Sequence, residues 1–244
     1  MKDDVPQNYI RSVKLGKYDV TKYPFSIPAV QHVEQISFSN PVTFFVGENG
    51  SGKSTLTEAI AVAAGFNPEG GTKNYNFSSI NSTSSLSDVM TLVRGYRREK
   101  GGYFLRAESF YTTANYAEAG TFDKHGNPYP LFFDGKRIHE QSHGEAFISI
   151  VKEFRPGLFI FDEPESALSP SRLLSLMVEI ARLVKLGSQF IIATHSPILL
   201  AFPGATIYQL SEEGIASVNY NDVEHVILTR DFLNHPATFL NALK

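Results

Sequence analysis

The stretch Gly47-Glu-Asn-Gly-Ser-Gly-Lys-Ser-Thr55 follows the apolar run Val42–Val46 and precedes Leu56–Ala64, a segment of helix-forming composition. Gly47, Gly52, Lys53 and Ser54 satisfy the pattern G-x-x-x-x-G-K-[ST]. In that pattern the glycines let backbone N–H groups turn inward around a phosphate, and the lysine reaches the β and γ phosphates. The serine hydroxyl faces Mg²⁺, and the helix N-terminus adds its partial positive charge. A strand before the loop and a helix after it are the setting this motif requires. The stretch therefore predicts an α/β fold that holds a nucleoside triphosphate, with Gly47, Glu48, Asn49, Gly50, Ser51, Gly52, Lys53, Ser54 and Thr55 around the phosphates.

Upstream, short β segments are expected at Tyr9–Leu15, Phe25–Val30, Glu34–Phe38 and Val42–Val46. The helix from Ser54 ends near Ala64, where Gly65 and Pro68 interrupt it. Gly70–Ser87, rich in Ser, Asn, Thr and Gly, reads as a solvated loop. Helical spacing resumes over Ser87–Arg98 (Val89, Leu92, Val93, Tyr96), and Gly101–Ala107 reads as a strand. Ala114–Phe133 is loop-like. Further on, helices are expected at Gly144–Phe154 and Ser171–Leu186, strands at Leu158–Phe161 and Gln189–Ala193, and a hairpin from Thr206–Leu210 and Ile215–Val218. Strands alternating with helices imply a mostly parallel core sheet.

Two of those strands deliver chemistry. Parallel strands present their C-terminal ends to the ligand crevice, and Gly157-Leu-Phe-Ile-Phe-Asp-Glu-Pro-Glu165 places Asp162 and Glu163 there. Asp162 is suited to the Mg²⁺ shell, and Glu163, one residue on, to orienting and deprotonating an attacking water. The strand Gln189–Ala193 brings Thr194-His195-Ser196-Pro197 to the same edge, with His195 placed to contact a γ-phosphate.

Together these motifs resemble those of ATP-binding-cassette-type ATPases, and the chain is similar to small stand-alone members of that superfamily described as AAA-family ATPases. Walker A is GENGSGKST, Walker B is LFIFDE and the switch is ATHSP with His195. The resemblance implies a P-loop NTPase whose mostly parallel sheet is flanked by helices, with an N-terminal antiparallel β part and a small helical subdomain. Residues 1–65 and 156–244 would form the nucleotide-binding core, and 66–155 the helical and signature region. ATP and Mg²⁺ are the implied ligands, with Lys53, Glu163 and His195 catalytic and Ser54 and Asp162 on the metal.

The signature departs from the family pattern. Where members carry L-S-G-G-Q, this chain has Glu140-Gln-Ser-His-Gly-Glu145, so Ser142 and Gly144 match while His143 and Glu145 do not. Since a helix-forming run follows, Ser142 and Gly144 are implied to meet the γ-phosphate of a second subunit, in an ATP-dependent head-to-tail homodimer. Glu165–Ser169 resembles the D-loop with Ser169 in place of aspartate. The Q-loop glutamine has no direct counterpart, and Glu108 is its stand-in near the metal, with Ser109 second. Tyr23 or Phe25 would stack on adenine.

Composition narrows what the hydrolysis drives. The chain has 244 residues, a formal net charge of −3 and no cysteine, so disulfides and thiolate metal sites are excluded. A cytoplasmic location is the expectation, because the first thirty residues lack the apolar core of a secretory signal and no apolar run approaches a membrane span. The departures from the signature and Q-loop patterns favour an ATP-driven clamp or switch linked to nucleic acid or an effector protein, as in repair or defence. A transporter's nucleotide-binding subunit is the alternative. Arg94–Lys100 and Arg106 are the candidate phosphate-facing cations for a nucleic-acid partner.

Overall fold

A computed structural model describes residues 8–73, 85–106, 132–133, 136–137 and 143–241. Its centre is a six-stranded sheet of β3 (Val42–Val46), β5 (Gly102–Arg106), β8 (Leu158–Asp162), β9 (Gln189–Ala193), β10 (Thr206–Ser211) and β11 (Gly214–Val218). They lie in the order β11-β10-β3-β9-β8-β5. Five of them run parallel, and β11 folds back antiparallel on β10 at one edge.

β3, β8 and β9 are buried at every position, which explains their largely apolar composition, with Thr43, Asp162 and Gln189 as the buried polar exceptions. Alternation of side chains sorts them onto the two faces. Phe45, Ile160 and Ile191 meet Leu56 and Ile60 of α2 (Lys53–Ala63). On the opposite face Phe44, Phe159, Phe161 and Phe190 meet α3 (His143–Lys152) and α4 (Pro170–Lys185) through Phe147, Leu176 and Ile180.

A second sheet, antiparallel, is made of β1 (Ile10–Leu15), β2 (Gln35–Ser37) and β4 (Met90–Arg94), in the order β2-β1-β4. Val13, Ile36 and Met90 join the α2 side of the core. A glutamine ties this sheet to the larger one. The buried Gln189 side chain accepts from the Ile10 N–H through Oε1 and donates to the Ile10 carbonyl through Nε2, both at 2.9 Å.

Two sequence expectations fail here. Phe25–Val30 is not a strand: residues 28–31 form a short helix, α1 (Pro28–Gln31). Pro28 has no N–H for a ladder, and its fixed φ suits the first helical position. Ser87–Arg98 is not a helix: a single 3₁₀ turn at Ser87–Val89 leads into β4. Its apolar spacing fits either state, and pairing with β1 decides it. The turn after β4 also demands glycine, because a Cβ on Gly95 would lie 2.0 Å from the Asn8 carbonyl oxygen.

The other expected helices, strands and terminal hairpin form within a residue or two. The loops expected at Gly70–Ser87 and Ala114–Phe133 fall mostly outside the described residues. Phe132–Phe133 forms β6, paired with β7 (Lys136–Arg137). Of the region 66–155, the described part gives one strand to each main sheet, β4 and β5, and the helix α3. Three helices were not anticipated: the short α5 (Pro197–Leu200), then α6 (Glu224–Asn234) and α7 (Pro236–Leu240) after the hairpin.

Candidate functional site

The loop between β3 and α2 is shaped by what its glycines cannot carry. A Cβ on Gly47 would lie 2.5 Å from the Leu210 carbonyl oxygen, so β10 closes one side. Gly52 caps α2 at φ +96°, with Ile27 of the N-terminal segment 2.8 Å from where its Cβ would be. The backbone is thereby pinned from both flanks while residues 48–50 stay exposed.

Lys53 opens α2 and is buried to 4% exposure. Its Nζ donates to the carbonyls of Gly47 and Glu48, both at 2.9 Å, so the ammonium lies across the loop. Burial pushes its pKa below the ordinary lysine range, while the charges of Glu163 and Asp162, then Glu48 and Glu165, oppose that shift. With several carboxylates already around the ammonium, a polyphosphate entering beside Lys53 would bring a divalent cation to offset its charge.

Ser54 and Thr55 follow in the first turn, both half-buried. The Tyr23 hydroxyl lies 3.4 Å from Thr55 Oγ1, and the Tyr23 side chain is 73% exposed. Phe25, its alternative as an adenine platform, is a core residue stacked on Tyr18 at 4.7 Å between centroids. The backbone turns between the two, leaving only Tyr23 beside the loop.

Asp162 ends β8 and is buried, in register with Ala193 of β9 and Arg106 of β5. The next residue breaks the strand sharply. Glu163 has φ 49° and ψ 54°, the one non-glycine residue with positive φ among those described. Such a conformation costs of order 1–3 kcal/mol and persists where surrounding structure enforces it. Here its N–H donates to the Ala193 carbonyl at 2.9 Å, and the chain is redirected into a 3₁₀ turn at Pro164–Ala167.

That turn sets the Glu163 Oε1 3.7 Å from His195 Nε2. His195 is held by its backbone: its N–H donates to Glu165 Oε1. The neighbouring Thr194 N–H donates to the Phe45 carbonyl at 3.1 Å. Burial pushes the Glu165 carboxyl above the usual carboxylate range, partly opposed by the His195 N–H. The loop carrying His195 is thus fixed to both β3 and the segment after β8.

Lys53, Asp162, Glu163 and His195 therefore meet at the C-terminal ends of three neighbouring strands. No group of three or more His, Asp or Glu among the described residues could hold a metal ion unaided. A Mg²⁺ arriving with nucleotide would take few protein ligands and complete its shell from phosphate and water. The Ser54 hydroxyl and Asp162 are the donors available for it.

The remaining expected residues divide. Gly144 sits in the first turn of α3, and a Cβ there would lie 3.3 Å from the Ala167 carbonyl oxygen at the end of the turn after β8. Glu145 pairs with Arg172 of α4 at 2.9 Å. Ser142, Glu108 and Ser109 lie outside the described residues. Of the basic candidates, Arg106 pairs with Glu58 of α2 at 2.9 Å. Arg94 and Lys73 both pair with the nearly buried Glu99.

One residue at the site carried no sequence signal. His225, in the first turn of α6, lines a cleft of about 430 Å³ with Gly47–Ser51, and its ring lies 6.1 Å from that of His195. It belongs to no motif and stands thirty positions beyond His195, so only the tertiary fold brings the two together.

A family model described as AAA domain matches residues 25–153, and one described as AAA domain, putative AbiEii toxin, Type IV TA system matches residues 146–201. No curated protein matches. Among solved structures, CbiO1 of Clostridium perfringens, part of the ABC transporter complex CbiONQ, is 17% identical with TM-score 0.49, covering 95% of this chain and 97% of that one. MJ1267, an ATP-binding cassette of an ABC transporter in its ADP conformation, is 17% identical with TM-score 0.47, covering 94% and 96%. The SMC head domain from Thermotoga maritima is 15% identical with TM-score 0.45, covering 86% and 98%.

Proposed function

Because the chain belongs to the AAA domain family, we propose that it hydrolyses ATP to ADP and phosphate as a dimerisation clamp or switch. The observation that carries this reading is the convergence of Lys53, Asp162, Glu163 and His195 at one sheet edge. In the proposed cycle the amides of Gly47–Gly52 and the Lys53 ammonium hold the triphosphate, and the exposed ring of Tyr23 supports the adenine. Mg²⁺, held by Ser54 and Asp162, would offset charge developing on the phosphates. Glu163 orients a water for in-line attack and takes its proton, while His195 donates to the γ-phosphate.

Most of the rate gain would come from charge already in place before reaction, which is the usual pattern for phosphoryl transfer. Residues 48–50 are exposed, so a second copy has open access to the loop. Gly144, with Ser142, would close that site from the partner subunit. The partner of the clamp is better read as an effector protein than as nucleic acid. Arg94 and Arg106, two of the cations that would face a nucleic-acid backbone, are each paired with a glutamate. No helix among the described residues is long and apolar enough to cross a membrane.

The test is the solution mass of Glu163→Gln with and without Mg-ATP, beside wild-type turnover. The variant should bind ATP and shift from monomer to dimer only with nucleotide, whereas Lys53→Ala should show neither binding nor shift. Wild type without ATPase activity would refute hydrolysis. A Glu163→Gln protein that stays monomeric at saturating ATP would refute the clamp.

A further inference from the structure

The helix after the hairpin is anchored by its start. Val223 and Val226 are 1% and 2% exposed and belong to the core beneath β3 and β9. From Ile227 to Asn234 every residue of α6 is exposed. The one well-fixed turn of α6 therefore carries His225, between two buried valines, to the side of the phosphate loop.

Its surroundings are polar on several sides. Glu48 of the loop, Glu212 of the hairpin turn and Glu224 of its own helix line the same cleft. His195 faces it across 6.1 Å, with the rings inclined by 56°. The Nε2 atoms of His225 and of His195 are both buried, and neither has a hydrogen-bond partner among the described residues. Buried polar atoms without partners are rare enough that two on neighbouring rings call for an explanation. Burial lowers the His225 pKa, His195 and Lys53 add to that, and Glu48 and Glu224 oppose it. The neutral ring can thus sit beside His195 without repelling it, and it is within electrostatic reach of the phosphate loop.

We propose that His225 is a positioning residue for hydrolysis, packing beside the His195 imidazole and keeping it directed toward Glu163 and the γ-phosphate. This rests on the ATPase reading above. His195 is fixed through its backbone by Glu165 and through Thr194 by β3, bonds that act on the main chain and not on the imidazole. The His225 ring, 6.1 Å away, is placed to limit how the imidazole turns. Because His225 belongs to α6, the exposed helix is then mechanically linked to the contact that follows γ-phosphate cleavage.

The experiment is steady-state ATPase kinetics of the full chain and of His225→Ala, His225→Phe, His195→Ala and the His195→Ala/His225→Ala double variant, with melting curves for each. Small misplacements of catalytic groups cost on the order of ten- to a hundredfold. His225→Ala is therefore expected to lose at least about tenfold in kcat with KM for ATP little changed. His225→Phe, which refills the ring's space, should recover much of that loss. The double variant should be no slower than His195→Ala alone, because residues acting as one unit are not additive. A His225→Ala kcat within about twofold of wild type, or losses that multiply in the double variant, would overturn the proposal. If His225→Ala is destabilised, the His225→Phe rate decides, and a rate as low as the alanine variant's refutes positioning by packing. Wild type without turnover overturns the ATPase reading and this inference with it, whereas active wild type with an unaffected His225→Ala overturns this inference alone.

Discussion

Replacing Gln189 by leucine keeps the side chain's size and removes both of its hydrogen bonds. β2 pairs with β1 only from Ser12 to Lys14, so the Ile10 peptide has no strand along that edge, and the Gln189 amide supplies the missing rung. Ile10 is fully buried and Gln189 is 1% exposed, which leaves water no access to the orphaned N–H and C=O. Each unsatisfied buried group costs about 1–3 kcal/mol. Leucine offsets part of this, because an apolar side chain loses no hydration on burial, so the net loss should be about 2–4 kcal/mol. For a domain of this size each kcal/mol lowers Tm by about 2–4 °C, giving a fall of roughly 5–15 °C. Circular-dichroism melting of the two proteins in the same buffer measures it. A Gln189→Leu protein melting within about 1 °C of wild type would show that the two sheets are not joined through this amide.

Tyr23→Ala should weaken ATP binding by roughly five- to a hundredfold, since stacking on a base is worth about 1–3 kcal/mol. Tyr23→Phe should bind nearly as wild type does, and calorimetry showing equal affinity for the alanine variant would remove Tyr23 from the adenine site. Glu165→Gln keeps an acceptor for the His195 N–H but removes a buried charge. Burial raises the Glu165 pKa in the fold, so the folded chain binds more protons there than the unfolded chain does. That makes its charge unfavourable to stability above the folded pKa and without effect below the unfolded one. Glu165→Gln should therefore melt higher than wild type at neutral pH, with the gap closing as pH falls toward the ordinary glutamate range. A gap that widens on acidification would reverse the sign assigned to its burial.

What the sequence makes legible is what local chemistry determines. Gly47, Gly52, Lys53 and Ser54 announce their loop by their spacing along the chain, and β3, β8 and β9 announce themselves because both faces of each are largely apolar. Asp162, Glu163 and His195 follow, since each stands at the end of such a strand or within two residues of it. Legibility fails where a distant partner decides. Met90–Arg94 becomes a strand because β1 is there to pair with it, and Phe25 is drawn into the core by Tyr18 while Tyr23 remains outside. His225 and the Ile10–Gln189 tie join residues far apart in sequence, and no spacing rule links them. Glu165 lay in plain view within a D-loop-like stretch, but its bond to the His195 N–H depends on how the turn at Pro164–Ala167 folds back.

The left-handed backbone at Glu163 also bears on how such a protein can change over generations. Glutamate and glycine codons differ by one base, and glycine adopts this conformation without strain, for a net gain of up to about 1 kcal/mol. On the general-base role proposed for Glu163, a lineage would abandon turnover and become sturdier in the same mutational step, and a higher melting temperature for Glu163→Gly would reveal the gain in stability. Its descendants would still grip nucleotide but no longer let go by cleaving it. Keeping a glutamate at this position would then be a sign that selection acts on release and not on the grip alone.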